Sequence, residues 1–331
     1  MPGDFPDGRD RCPHRDILMD ERPIGMFDSG FGGLTVARAL IDLVPNEHLV
    51  YLGDTGRYPY GPRQLDEVEA FALEIGHWLV DEHDVKMVVV ACNTASAAGL
   101  SSLRRELDVP VVGVIEPGAR ALARATANGR AGVIGTVGTI SSGAYQSVVD
   151  GMLETGQGGI KELHCAACPG FVEFVERGET RSDQVAVLAE RLLAPLAEVG
   201  VDALLLGCTH YPFLARTIGD VMGRDVVLVS SADETAFEVR ALLASEGLSR
   251  GGPAPGEHRF FSSGDVEWFK DVGSRLFGQE IECVRSVSWP APSTTPDAPH
   301  RTQPGTQPGT PGARPSIGSS SRRYEHRAFA G

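Results

Sequence analysis

Residues 86–96 read K-M-V-V-V-A-C-N-T-A-S, and residues 202–213 read D-A-L-L-L-G-C-T-H-Y-P-F. Each is a short unbroken apolar run, then one small residue, a cysteine, and a threonine within two positions. Such a run suits a strand buried on both faces of a parallel sheet, and the small polar residues suit the strand-to-helix turn that follows. Cys92 and Cys208 are therefore expected at the carboxyl ends of strands, where open α/β sheets bind ligands. Two equivalent thiols, one in each half of the chain, predict a pair facing one substrate from opposite sides. Inverting a stereocentre requires acid/base groups placed in that way.

The repetition extends beyond the cysteines. Residues 24–40 read as a strand, a glycine-rich turn holding Asp28 and Ser29, and a helix; residues 131–149 have the same layout, with Thr136, Thr139 and Ser141 at the turn. A helix and a second strand follow each cysteine, the strands at 109–115 and 225–229. This pattern predicts an α/β fold of two similar lobes, each a mainly parallel sheet flanked by helices, related by pseudo-symmetry with the active site between them. Lobe one is expected over residues 22–118 plus 230–287, its last helices near 232–247 and 266–276 returning to pack on it. Lobe two is expected over 119–229.

The ends of the chain differ in composition. Residues 302–312 read T-Q-P-G-T-Q-P-G-T-P-G, and the whole of 288–331 has almost no apolar content to offset its ordering entropy, so it is expected to be disordered. Residues 1–21 are polar and proline-containing, and are expected to lack fixed structure. They contain no apolar signal core, so the chain is expected in the cytoplasm. No apolar run reaches 18 residues, so no membrane span is expected. Six cysteines without a paired framework suit a reducing compartment, and a net charge of −14 argues against nonspecific nucleic-acid binding.

Each motif has a plain alternative. A buried cysteine is usually a small hydrophobe. Here each thiol precedes a helix start, with Thr94 able to cap one helix and Pro212 suited to the first turn of the other. A helix N-terminus lowers a thiol pKa from its free value of about 8.5, and the duplication is left unexplained by the hydrophobe reading. Asp28, in F-D-S-G-F-G-G, could hold a substrate ammonium or simply cap the next helix. Residues 53–63, G-D-T-G-R-Y-P-Y-G-P-R, form a long shaped loop, with Tyr60 and Gly61 as binding candidates. His210 could assist Cys208 as a proton partner. Glu176 lies among several glutamates on an amphipathic helix and could be a solvated charge. Cys165 and Cys168 form C-A-A-C, which invites a redox or zinc reading, but no second ligand pair exists for zinc. No G-x-G-x-x-G, Walker, H-E-x-x-H or Schiff-base lysine context occurs, so no cofactor and no metal are expected.

Taken in order, F-D-S-G-F-G-G-L-T-V, G-D-T-G-R-Y-P-Y-G-P-R, V-A-C-N-T-A, G-V-I-E-P-G, C-P-G-F-V-E-F-V-E and G-C-T-H-Y-P resemble the glutamate racemases, cofactor-independent enzymes of the aspartate/glutamate racemase superfamily. The resemblance runs from about residue 23 to 283. It implies that Cys92 and Cys208 are the two acid/base thiols, with Cys92 taking the α-proton of D-glutamate and Cys208 that of L-glutamate. It implies substrate contacts from Asp28, Ser29, Tyr60, Gly61, Asn93, Thr94, Thr209 and His210, and a substrate-carboxylate site at Thr136 and Thr139. Asp28 is expected to serve Cys92, and His210 to serve Cys208. Glu176 matches the acidic position that pairs with that histidine. Where family members often have proline and leucine, this chain has Glu173 and Phe174. The expected partners are glutamate and a second copy in a homodimer, with no membrane and no nucleic acid. The product, D-glutamate, implies a role in peptidoglycan synthesis. The rival readings are a racemase for aspartate or another acidic amino acid, and a thiol redox or ligand-binding protein built on C-A-A-C.

Overall fold

The computed structural model describes residues 20–156, 158–277, 281 and 283–289. Among these residues ten strands form two sheets, ordered β10-β9-β2-β1-β3-β4 and β6-β5-β7-β8. In the first sheet β1 is Ile24–Asp28, β2 Leu49–Gly53, β3 Met87–Val90, β4 Val111–Gly113, β9 His258–Ser262 and β10 Val284–Ser286. In the second β5 is Arg130–Gly135, β6 Glu162–Ala167, β7 Ala203–Gly207 and β8 Val227–Ser230. All the strand pairs are parallel. The order β2-β1-β3-β4 recurs as β6-β5-β7-β8, so the repeat read in the sequence is a repeat of strand order.

That order fixes where chemistry can sit. The chain passes from β1 to β2 on one side of β1, then returns to place β3 on its other side; β5, β6 and β7 do the same. Ligands bind beyond the carboxyl ends of strands at such a reversal. The reversals lie between β1 and β3 and between β5 and β7. Asp28 ends β1, Cys92 follows β3, Thr136 follows β5 and Cys208 follows β7. All residues of β3 and of β7 are buried. Each fully buried valine or leucine contributes about 1.5–3 kcal/mol, so these short strands are firmly held.

Helix α1 (Leu34–Leu43) follows β1, α2 (Leu65–His83) and α3 (Asn93–Glu106) flank β3, and α4 (Ile115–Ala125) leads toward the second sheet. Short helices α5 (Val137–Ser141) and α6 (Ala144–Glu154) follow β5; α7 (Phe171–Glu176) and α8 (Asp183–Glu198) follow β6. After β7 come a 3₁₀ turn, Tyr211–Leu214, and α9 (Ala215–Met222). Helix α10 (Ser231–Ser245) packs on α1 and α4, and α11 (Val266–Phe277) on α1 and β10. None of the described helices is long and apolar enough to cross a membrane.

Two of the expected lobe boundaries fall inside regular elements. The division at 118/119 falls inside α4, whose Ile115, Ala119 and Leu122 share one apolar core with β5 and β7. The second division, at 229/230, falls inside β8. Strands β9 and β10 extend the first sheet where only helices were expected. Residues 1–19 and 290–331 lie outside the described residues. Of the expected disordered ends, Asp20 and Glu21 accept hydrogen bonds from Lys86 (2.9 Å) and Arg250 (2.7 Å), and Trp289 packs on the first lobe's core with its ring edge-on to Trp78.

Candidate active site

Cys92 is itself the N-cap of α3. Its Sγ accepts the Ala95 N–H at 3.5 Å and its thiol reaches Ser29 Oγ at 3.7 Å. Thr94, expected as the cap, is the second residue of the helix, and its hydroxyl serves elsewhere. The expected lowering of this thiol's pKa is reversed: burial, then the charge of Asp28, pushes it up to about 12 against the Ala95 N–H and Ser29. Asp28 does not cap α1, because Gly33 holds that position without a side-chain bond. Its fully buried carboxyl accepts from Thr209 Oγ1 (3.3 Å) and the Gly30 N–H (3.4 Å). Burial raises its pKa, opposed by His210, Gly30, Gly33 and Thr209.

Cys208 has different company. The 3₁₀ turn after β7, with Pro212 in its first positions, brings His210 Nδ1 to 3.9 Å from the Cys208 Sγ. Glu176, the last residue of α7, places Oε1 3.5 Å from His210 Nε2. Burial disfavours the imidazolium, but the nearby Cys208 thiol, then the Glu176 carboxylate, with the charge of Asp28, outweigh it and raise the His210 pKa to about 10. Glu176 is therefore not a solvated helix charge.

Three hydroxyls form a closed triangle: Thr94 to Thr136 at 2.9 Å, Thr94 to Thr139 at 3.1 Å and Thr136 to Thr139 at 3.0 Å. Thr136 caps α5, accepting from the Thr139 N–H at 3.2 Å. Each hydroxyl can turn its proton toward an anion, and the helix N-terminus favours one. Asn93 Oδ1 accepts from the Tyr145 hydroxyl at 2.7 Å, while Asn93 Nδ2 is buried without a partner among the described residues. The loop after β2 reaches across through Gly61, whose carbonyl accepts the Gly138 N–H at 2.8 Å.

Two glycines allow these parts to approach. A Cβ at Gly32 would collide with Thr209 Oγ1 and His210 Nδ1, and one at Gly61 would lie 2.9 Å from Thr136 Cβ. Both joints bring residues that follow the first sheet's strands against residues that follow the second's.

Ser29, Tyr60, Gly61, Cys92, Asn93, Thr94, Thr136, Cys208, Thr209 and His210 line one cavity of about 110 Å³. Asp28, Thr139 and Glu176 stand behind it, each touching a residue that lines it. Among the described residues, none lining it is lysine or arginine. Sequence reasoning missed Tyr58, Val137, Cys168, Glu173 and Tyr211 on its wall, and Tyr145 behind Asn93. The first tyrosine of the 53–63 loop, two positions before Tyr60, was the available signal for Tyr58; Tyr145 gave none. A wider open depression of about 480 Å³, lined by Arg181, Glu190, Arg216 and Asp220 among others, carries charges of both signs and none of the candidate residues.

In the C-A-A-C motif Cys165 lies in β6 and Cys168 just after its end. Both thiols are free, and burial pushes Cys165 up to about 12 and Cys168 higher still. A dithiol built for exchange needs an accessible thiolate, which this environment opposes.

A model of the Asp/Glu/hydantoin racemase family matches residues 31–238. The chain belongs to that family, and its relatives place it among the glutamate racemases. A glutamate racemase of Parafrankia sp. is 50% identical over 275 residues, covering 83% of this chain and 97% of the relative. One from Mycobacterium ulcerans is 51% identical over 266 residues, covering 80% and 96%. The crystal structure of a glutamate racemase isoform from Bacillus anthracis is similar with a TM-score of 0.76 and 41% identity, covering 82% of this chain and 99% of that one. That of Francisella tularensis glutamate racemase in complex with D-glutamate has a TM-score of 0.73 and 32% identity, covering 82% and 98%.

Proposed function

We propose that this chain interconverts L- and D-glutamate by two-base proton transfer between Cys92 and Cys208, without a cofactor. The observation that carries the reading is that two buried thiols, each just beyond a strand at a chain reversal, line one small cavity together with Thr94 and Thr136 of the hydroxyl triangle.

The α-proton of an amino acid is weakly acidic, so the site has to stabilise a carbanion-like transition state with preorganised donors. Thr94, Thr136 and Thr139 hold the α-carboxylate, where charge develops, and the α5 N-terminus adds its N–H groups. The substrate ammonium sits toward Asp28. Its positive charge beside Cys92 offsets the carboxylate that raises this thiol and brings the thiolate within reach. Cys92 as thiolate removes the α-proton of D-glutamate while the Cys208 thiol delivers one to the opposite face; in the reverse direction Cys208 removes the proton of L-glutamate and Cys92 delivers. His210, oriented by Glu176, exchanges protons with Cys208, and Asp28 with Cys92. Each turnover takes one proton from the substrate and returns one. Positioned proton transfer supplies about 10²–10⁴-fold, and exclusion of water from so closed a site strengthens the electrostatic remainder.

The chain works in the cytoplasm as a homodimer and supplies D-glutamate for peptidoglycan synthesis. The two sheets, with the helices packed on them, act as two lobes related by pseudo-symmetry that part to admit substrate. Purified protein incubated with L-glutamate and no added cofactor is expected to form D-glutamate. Faster racemisation of aspartate would move the substrate assignment to that acid. Absence of turnover with any acidic amino acid would overturn the reading.

A further inference from the structure

The loop carrying Tyr60 and Gly61 is held from behind by Trp289, three residues past the end of β10. Asp54, fully buried, receives four donors: Arg57 Nε (2.7 Å) and the Tyr60 hydroxyl on one oxygen, Ser263 Oγ (2.5 Å) and Trp289 Nε1 (2.8 Å) on the other. The Trp289 ring also faces the Arg57 guanidinium at 4.5 Å, which has the Phe71 ring at 4.2 Å and pairs with Glu74. Trp289 is placed by β10 and by the Val287 N–H, which continues the pairing onto Ser262 at 2.9 Å. From Asp54 the chain of contacts runs through Tyr60 to Gly61, and from the Gly61 carbonyl to Gly138 beside the hydroxyl triangle.

We infer that Trp289 is a positioning residue for substrate binding: through Asp54 and Arg57 it locks the 54–63 loop in the form that presents Tyr60 and Gly61 to the cavity. The two oxygens of Asp54 are fully used by these four donors, so losing one leaves part of a buried carboxylate unsatisfied, a cost borne where the loop is anchored. The cation–π contact with Arg57 reinforces the same anchor. Trp289 touches no residue that exchanges protons, so its effect falls on binding.

This inference rests on the racemase reading for its kinetic arm, and a proteolysis arm stands apart from it. In the full-length chain, Trp289→Ala is expected to raise KM for glutamate about tenfold, the scale of one lost charge-assisted hydrogen bond, with kcat within about threefold of wild type. Trp289→Phe, which keeps a ring over Arg57 but loses the N–H, is expected to fall between the two. Limited trypsin treatment should cut after Arg57 and Arg63 several times faster in Trp289→Ala, and the two variants should rank as their KM values do. KM within twofold of wild type together with unchanged cleavage would overturn the inference. So would a fall in kcat at constant KM, the mark of a purely structural loss. If Trp289→Ala does not fold, Trp289→Phe decides by the same readouts. If the wild-type chain racemises nothing, the functional reading fails and the cleavage rates alone decide whether the loop is locked.

Discussion

The carboxyl ends of β3 and β7 are built from nearly the same residues but hold their thiols in unlike surroundings. At the first, Cys92 caps a helix of 14 residues, and its charged neighbour is the Asp28 carboxylate. At the second, Cys208 is followed by a four-residue 3₁₀ turn, and its neighbour is an imidazole held toward the charged form by Cys208 itself and then by Glu176. The first setting favours a protonated thiol in the absence of ligand. The second offers a proton donor within two residues. The difference teaches that strand position sets where an acid/base group stands, while the turn after the strand sets what it does at rest. A matched pair need not be symmetric to act on both faces of one carbon; it needs one member ready to give a proton while the other takes one.

Four experiments can break or sharpen that contrast. The largest effect is expected from the thiols: Cys92→Ser and Cys208→Ser should each lower racemisation by about 10⁴-fold in both directions, because every turnover uses both groups. A variant within tenfold of wild type would remove that thiol from the reaction.

Next come the partners. Asp28→Asn and His210→Gln should each lower kcat/KM about 100-fold. The loss must be equal in the two directions, since the equilibrium constant between enantiomers is one. The isotope effects should separate them. Asp28→Asn should increase the effect seen with α-deuterated D-glutamate, and His210→Gln that seen with the L-isomer. The same enantiomer affected in both variants would contradict the pairing of each thiol with its own neighbour.

The shared anion site should matter less. Thr136→Val removes one corner of the hydroxyl triangle, and with it two of the three contacts, and is expected to raise KM about tenfold for both enantiomers. An effect confined to one enantiomer would place the carboxylate elsewhere.

The smallest effect concerns stability. The His210 pKa rises from 6.5 to about 10 on folding, so between those values the folded chain holds a proton that the unfolded chain has lost. Its contribution is complete below pH 6.5 and is lost as pH rises toward 10. Cys92 acts in the same direction between pH 9 and about 12, because its folded thiol stays protonated after the unfolded one ionises. Melting temperature should therefore fall with rising pH from 6.5, and His210→Gln should flatten the part below pH 9. An unchanged slope in that variant would mean the imidazole is not held charged.

The sequence showed the strand ends because β3 and β7 are unbroken apolar runs that stop at small residues, a pattern set by local chemistry. The Asp28–Ser29 turn and the threonines near α5 were legible for the same reason. What escaped depends on distant packing. Strand β9, H-R-F-F-S, has no clean period, and it forms because β2 offers it an open edge. Thr94 read as a cap because threonine favours that position, yet Cys92 takes it and Thr94 turns to Thr136 from the other sheet. The raised Cys92 pKa depends on how deeply the thiol is buried, which no spacing reveals. Trp289 falls in the composition of the 288–331 tail, and only its distant contact with Arg57 ties it to the fold.

The most direct test of the two-thiol account uses a glutamate analogue with a leaving group next to the α-carbon, since elimination needs only one base. Each enantiomer is given to Cys92→Ser and to Cys208→Ser, and elimination is measured. The account predicts that Cys92→Ser retains slowed elimination from the L-analogue alone and Cys208→Ser from the D-analogue alone. Elimination from the same enantiomer by both variants would contradict it.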